Sequence, residues 1–182
     1  AALDPLRLDV TDTDDRAFVH GLAVALGTLR LARALGLRGE PLDELALAAF
    51  VHDFGYLEPP LAGEAPADRR QRHPSRGAAR LASLEAVPDV AVLVAYEHHL
   101  RFDGAPNYPL LAESRLPHAA ARVVAVADTW ETLRSRGNLA EAEDLLERRR
   151  AKAGLRLQGD DHVTREVHRP HPPPRARAAA SG

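Results

Sequence analysis

A chain of 182 residues, 45% apolar and 27% charged, is long enough and ordinary enough in composition for one globular domain with its own core. A formal net charge of -2 gives no reason to expect a nucleic-acid polymer as partner, and the absence of cysteine excludes disulfides and thiolate metal ligands. Aromatic residues make up only 4%, so the core has to be built from Leu, Ala and Val.

High Ala, Leu and Arg content favours helix throughout. Asp12, Asp14 and Asp15 supply N-cap and first-turn acids for a first helix running to about Leu37. Gly39 and Pro41 punctuate, and a second helix is expected over 42–54. Residues 55–72 are rich in Pro and Gly and read as a loop. A third helix is expected from His73-Pro74 to just before Pro88, a fourth over about 89–101, and a long fifth over about 118–134. The segment 138–154 (NLAEAEDLLERRRAKAG) reads as a sixth. No segment alternates with period two, so the fold class is all-α, a bundle of about six helices. Residues 158–182 end in a Pro-, Arg- and Ala-rich tail expected to be largely disordered. The longest apolar runs look far short of a membrane span, and no signal-peptide pattern opens the chain, so the cytoplasm is the default expectation. The chain has no methionine, position 1 included, and is expected to be part of something longer.

The chemistry-bearing residues are histidines and aspartates in a particular order. His52-Asp53 closes the apolar stretch LALAAFVHDFG; His20 precedes it; His73, His98-His99 and Asp128 follow. Imidazole and carboxylate suit Zn, Mn and Fe. An acid within an apolar run, as at Asp53 and Asp128, is costly unless it is paired or metal-bound. His52 and Asp53 are neighbours whose side chains diverge by about 100° on a helix, and at a helix end they can straddle a cleft. Helical bundles build metal sites from inward-facing side chains on several helices. Seven donors exceed the needs of one tetrahedral ion and argue for two. Any one of these residues alone is more often an ordinary core or surface residue. It is their combination that points to a metal site. His118, His162, His168 and His171 are read as solvated and without a role.

Four motifs in order carry a family resemblance. LAAFVHDFGYLEPP is similar to an HDxGK segment followed by a proline-containing loop. HPSRGAARLA resembles an HPxxG helix start. EHHLRFDGAPNYP resembles HHExxDGxGYP, and ARVVAVADTWETL resembles RxxxxxDxxDAL. Over about residues 16–136 the chain resembles the HD-GYP domains, a branch of the HD phosphohydrolase superfamily. The resemblance implies an HD-GYP-like helical domain over 1–157 and two divalent cations, iron or manganese ahead of zinc. By position, His20, His52, Asp53 and Asp128 match the basic ligand set, with Asp53 the bridging, catalytic carboxylate. His73, His98 and His99 match the ligands added for the second ion. The implied activity is hydrolysis of a cyclic dinucleotide, cyclic di-GMP, by a two-metal-activated hydroxide. The implied partners are an upstream receiver or sensor domain, other signalling domains and a homodimer.

The departures bear on substrate. The motif lysine, expected to steady phosphate, is Tyr56. The glutamate after the His pair is Leu100. Asn107 stands where the motif has glycine, and one residue is inserted. Glu131 stands for the second aspartate, and Arg16 occupies the place of a third-metal glutamate, so a third ion is not expected. Arg101 and Arg76 are the nearest replacement cations by sequence, with Tyr108 set to stack on a base or pack the loop. Two other readings stay open: an inert HD-GYP-like signalling or interaction module, and an HD phosphohydrolase acting on another nucleotide or phosphoester.

Overall fold

The computed structural model describes residues 13–103, 105, 107–109, 115–137 and 144. Among them lie five α-helices, one 3-10 turn and no strand, so the chain is all-α. The helices are α1 (Thr13–Ala34), α2 (Glu40–Phe50), α3 (Pro66–Leu81), α4 (Asp89–Glu97) and α5 (Ala119–Ser135), with the turn Phe54–Tyr56 between α2 and α3. The expected sixth helix over 138–154, Asp144 apart, and the tail over 158–182 lie outside the described residues.

Helix α1 stops three residues before the expected Leu37. Gly36 takes φ 94°, and the amide of Leu37 reaches back to the carbonyl of Ala32 at 3.0 Å, a Schellman closure that buries Leu37. Helix α2 opens with a proline in its first turn and ends at Phe50, four residues before the expected end, so His52 and Asp53 fall in the turn beyond it. Helix α4 likewise ends at Glu97, leaving His98 as its C-cap and His99 in the following turn.

Helix α3 is the main correction. The residues before His73 read as loop, with Pro74 as an N-terminal proline. The helix instead opens at Pro66 and carries Pro74 in its interior. An interior proline deprives the carbonyl four residues back of its donor. That carbonyl belongs to Arg70, and Nδ1 of His73 lies 2.7 Å from it. The imidazole supplies the hydrogen bond that the proline cannot. Only 57–65 is then loop, and it is fixed down: Glu64 accepts from the amide of Leu61 at 3.2 Å and from Arg76 at 3.3 Å, and Arg69 and Arg76 bond carbonyls of Tyr56, Glu58 and Pro59.

The core is Val, Ala and Leu from α1, α2, α4 and α5, with Val24, Leu45, Val94 and Val124 at 0% exposure. Each such side chain contributes about 1.5–3 kcal/mol of burial free energy. The stretch Arg16–Ala34, with mean hydropathy 1.2, is long and apolar enough by length and composition to cross a membrane, which the reading of short apolar runs missed. In the bundle it packs one face on α2 and α5 and presents His20 on it; Phe18, Leu22 and Leu26 lie exposed. At the other end, buried Glu97 binds α5 to α4. Its carboxylate accepts from the amide of His118 at 2.7 Å and pairs with Arg115. His118 is not merely solvated: it is the N-cap of α5, its Nδ1 accepting from the amide of Ala120 at 3.2 Å.

Two glycines set the approach of the 3-10 turn to α3. A Cβ on Gly55 would lie 2.0 Å from the carbonyl oxygen of His73 and 2.8 Å from the amide of Gly77; one on Gly77 would lie 2.8 Å from the amide of Gly55. Backbone meets backbone there, and that contact seats Asp53 beside His73. Gly55→Ala and Gly77→Ala are each expected to lower the unfolding free energy by about 1–3 kcal/mol or more, because α3 must move off the turn. Gly27→Ala, whose Cβ would meet that of Ala127 at an ordinary 3.5 Å, is expected to raise it by up to about 1 kcal/mol through helix propensity. Urea unfolding followed by circular dichroism measures all three.

Candidate metal centre

Seven donors meet where the turn after α2, the turn after α4 and the inner faces of α1, α3 and α5 converge. The carboxylate of Asp53 lies at the middle. Its Oδ1 is 3.1 Å from Nε2 of His73 and 3.4 Å from Nε2 of His98; its Oδ2 is 3.5 Å from Nε2 of His52 and 3.9 Å from Nε2 of His20. Asp128 adds Oδ1 at 3.2 Å from Nε2 of His20 and 4.0 Å from Nε2 of His52. His73 and His98 bring their Nε2 atoms within 3.2 Å of each other, and His99 joins this side. The donors thus fall into two sets, Asp53 with His73, His98 and His99, and His20 with His52 and Asp128; donor atoms within each set lie within 4.8 Å of one another. Asp53 offers one oxygen to each side.

The rings are aimed by backbone. Nδ1 of His52 lies 2.7 Å from the carbonyl of Ala49, Nδ1 of His73 lies 2.7 Å from that of Arg70, and Nδ1 of His98 lies 3.1 Å from those of Val94 and Ala95. A carbonyl only accepts, so each Nδ1 carries a proton, and in the neutral ring Nε2 keeps its lone pair for the site. The carbonyls of Ala49 and Ala95 are unsatisfied ones at the ends of α2 and α4, that of Val94 already accepts from the amide of His98 at 3.0 Å, and that of Arg70 is the one freed by Pro74. The helix ends therefore act as the outer support that metal-binding imidazoles ordinarily need.

Do these donors fit a cation? Ligands at about 2.1 Å from one ion stand about 3.0–3.4 Å apart, and the closest donor pairs here span 3.1–3.4 Å. Nε2 of His52, 1% exposed, is a buried polar atom without a hydrogen-bond partner. An orphaned lone pair beside two carboxylates is what a divalent ion would satisfy, and a pure imidazole-carboxylate set suits Fe, Mn or Zn.

Electrostatics run the same way. Burial opposes ionisation of Asp53, yet the charge of His52 and the hydrogen bonds of His73 and His98 outweigh it and hold the carboxyl well below its usual range. Burial also opposes Asp128, and the hydrogen bond from His20 brings it down to about 2. Burial, followed by the charges of His98 and His73, pushes His99 down to about 2, so its lone pair is available at any ordinary pH. His52 is lowered by burial. His20 and His98 are raised: burial works against the charged form, but Asp128 and Asp53 respectively overcome it.

Five of the donors, His20, Asp53, His98, His99 and Asp128, form one wall of a cavity of about 880 Å³. Tyr56, at the motif-lysine position, stacks on His73 with ring centres 4.1 Å apart and planes 17° from parallel. Burial, then the charge of Asp53, pushes its phenol up to about 12, so it stays neutral. Tyr108 packs on His99 at 4.4 Å, and Asn107, the glycine replacement, donates to the carbonyl of His99 at 2.6 Å, fastening the loop. Arg101 borders the cavity but is clamped by Asp103 through Nε–Oδ1 at 2.9 Å. Arg76 is not brought to the cavity. It faces the other way, onto Glu64 and Pro59, because the longer α3 turns its guanidinium to the 57–65 loop. Glu131 is paired with Arg134 through two bonds of 2.9 Å. The sequence reading missed Arg70, which does line the cavity. It lies three residues before His73 and so on the same helical face, a signal hidden while 55–72 read as loop.

The chain matches the family described as HD domain over residues 17–133. It is 31% identical over 144 residues to the cyclic di-GMP phosphodiesterase PA4108 of Pseudomonas aeruginosa, an alignment covering 74% of this chain and 34% of that protein. The chain thus spans about a third of that relative's length. Among solved structures it is similar to Bd1817, a HDG"Y"P protein from Bdellovibrio bacteriovorus, with a TM-score of 0.61, 24% identity, and coverage of 86% of this chain and 54% of that one. The last likeness is one of fold.

Cation affinity should follow the protons on His20 and His98. Both have raised pKa values, so below those values an incoming ion must displace a proton, and above them it need not. Affinity for Mn(II) is expected to fall as pH drops through the neutral range, by about tenfold per unit for each proton displaced, and to level off at higher pH. Calorimetry in buffers of different ionisation enthalpy measures the protons released.

Proposed function

Because the chain belongs to the HD domain family, we propose that it is a metal-dependent phosphohydrolase whose substrate is a cyclic dinucleotide, cyclic di-GMP. The observation that carries this reading is the division of seven donors into two sets that share Asp53. In this reading His20, His52 and Asp128 would hold one cation, and His73, His98 and His99 the other, with Asp53 common to both. Cations bound there would acidify a water molecule and offset charge growing on the phosphoryl oxygens.

The chain's own groups fit attack by water rather than by a side chain. The hydroxyls of Thr129 and Thr132, which border the cavity, donate to the carbonyl of Ala125 and to Asp128 at 2.7 and 3.3 Å. The phenol of Tyr56 is held neutral, and the chain has no cysteine. Asp53 and Asp128 stay ionised and orient the neighbouring imidazoles. Two carboxylates among five imidazoles leave the loaded site net positive, which suits an anionic diester. The cavity is of small-molecule size. Tyr56, Phe102 and Tyr108 border it, and a nucleobase stacked on such a ring gains about 1–3 kcal/mol. The name of the Pseudomonas aeruginosa relative supports the same substrate.

One observation favours a second reading. Tyr56 covers His73 where the motif has a cation, and an interaction module without turnover would tolerate that. Turnover separates the two. Protein loaded with Mn(II) or Fe(II) is expected to convert cyclic di-GMP to the linear dinucleotide or GMP. Cleavage of bis-p-nitrophenyl phosphate or nucleotides without cleavage of the cyclic dinucleotide would move the substrate elsewhere within phosphohydrolases; metal-bound protein inert toward all of them would sink the enzyme reading. Asp53→Ala is expected to lose at least one equivalent of metal by elemental analysis and to lower the rate by at least about a thousandfold, with the helical circular dichroism retained.

A further inference from the structure

An anionic diester at this centre meets carboxylates as well as imidazoles, so a protein cation facing the cavity would add to its hold. Among the described residues four arginines border the cavity: Arg70, Arg101, Arg122 and Arg136. Arg101 is exposed and clamped by the carboxylate of Asp103. Arg122 is buried, with its guanidinium 5.0 Å from the centre of the Phe102 ring. Arg136 follows α5, eight residues and so about 12 Å of helix rise beyond Asp128. Arg70 is exposed like Arg101 and differs in having no carboxylate partner among the described residues. It is on α3, one turn before His73, and its Nε donates to the phenol oxygen of Tyr108 at 3.4 Å. Tyr108 in turn packs on His99, and its loop is fastened by Asn107. The two Nη groups of Arg70 have no partner among the described residues, while its Nε is occupied. The guanidinium is therefore held at Nε by Tyr108 and open at its outer fork, on the cavity that Asp53, His98 and His99 also line.

We propose that Arg70, steadied by Tyr108, binds a phosphodiester oxygen of the substrate and is the cation that compensates for the tyrosine at position 56; this rests on the phosphodiesterase reading above. The planar fork of arginine matches two oxygens of a phosphate group, a geometry open to Nη1 and Nη2 together. Tyr56 leaves this route clear because its ring lies flat on His73. The same helix thus carries a ligand of the cation set and, one turn earlier, a substrate contact.

The test compares wild type with Arg70→Ala, Arg70→Lys and Arg70→Glu, and with Arg30→Ala, an exposed α1 arginine outside the cavity, as a control for net charge. Two readouts are taken on Mn(II)-loaded protein: equilibrium affinity for the phosphorothioate analogue of cyclic di-GMP by calorimetry, and KM and kcat for cyclic di-GMP. Loss of one charge-assisted hydrogen bond at an exposed site corresponds to about a tenfold effect. Arg70→Ala is expected to weaken analogue binding and raise KM by about tenfold, with kcat and metal content unchanged. Arg70→Glu should weaken binding further, Arg70→Lys should recover most of it, and Arg30→Ala should match wild type. Binding and KM unchanged in Arg70→Ala while wild type binds and cleaves would overturn the assignment and leave the proposed function standing. Wild type that neither binds nor cleaves would overturn the proposed function, and the Arg70 assignment with it.

Discussion

One carboxylate among four imidazoles is the constraint around which this bundle is arranged. Asp53 would be a poor interior residue alone, since burial opposes its charge. It is tolerated because His73 and His98 approach one oxygen while His52 and His20 approach the other. Each of those rings comes from a different element. The packing of α1, α3, α4 and the turn after α2 is therefore what makes the charge affordable, and the paired site holds only while all four stay in place.

The means of holding them is economical. A helix end leaves carbonyls without donors, and an interior proline does the same one turn back. Here the carbonyls of Ala49, Ala95 and Arg70 accept Nδ1–H from His52, His98 and His73. The Nδ1–H of each ring thereby closes a helix defect, fixes the neutral tautomer and turns Nε2 inward. The glycines complete the arrangement. Gly55 and Gly77 let the 3-10 turn lie against α3 backbone to backbone, which brings Asp53 to His73. Gly21, beside His20, stands so close to the carbonyl of Phe50 that an added Cβ would lie 2.5 Å from it, which brings α1 to the end of α2.

The rest of the cavity is built differently from the donor wall. Tyr56 stacks where the motif has a lysine, Asn107 pins a loop where the motif has glycine, and Arg101 is neutralised by Asp103. The loop over 57–65 is tied down by Glu64 and the arginines of α3 and does not border the cavity. The cavity is lined instead by Phe102, Asn107 and Tyr108 and by the end of α5. The two walls touch through these replacements: Tyr56 lies on His73, Tyr108 packs on His99 and Asn107 holds the carbonyl of His99.

The sequence by itself determined the all-α class and the family, and it picked out the seven His and Asp residues that the fold brings together, because residue type and motif order are written in the chain and helix propensity is local. It could also show that Tyr56 had displaced a cation. It placed the start of α3 near His73-Pro74, since a proline is read as a helix opener, and only the fold reveals that a histidine side chain repairs the break. The direction of each imidazole, the sharing of Asp53 between two sets, the withdrawal of Arg76 and the presence of Arg70 at the cavity were decided by tertiary structure. Each depends on backbones from separate elements meeting at fixed distances, and such distances are set by packing rather than by any local run of residues.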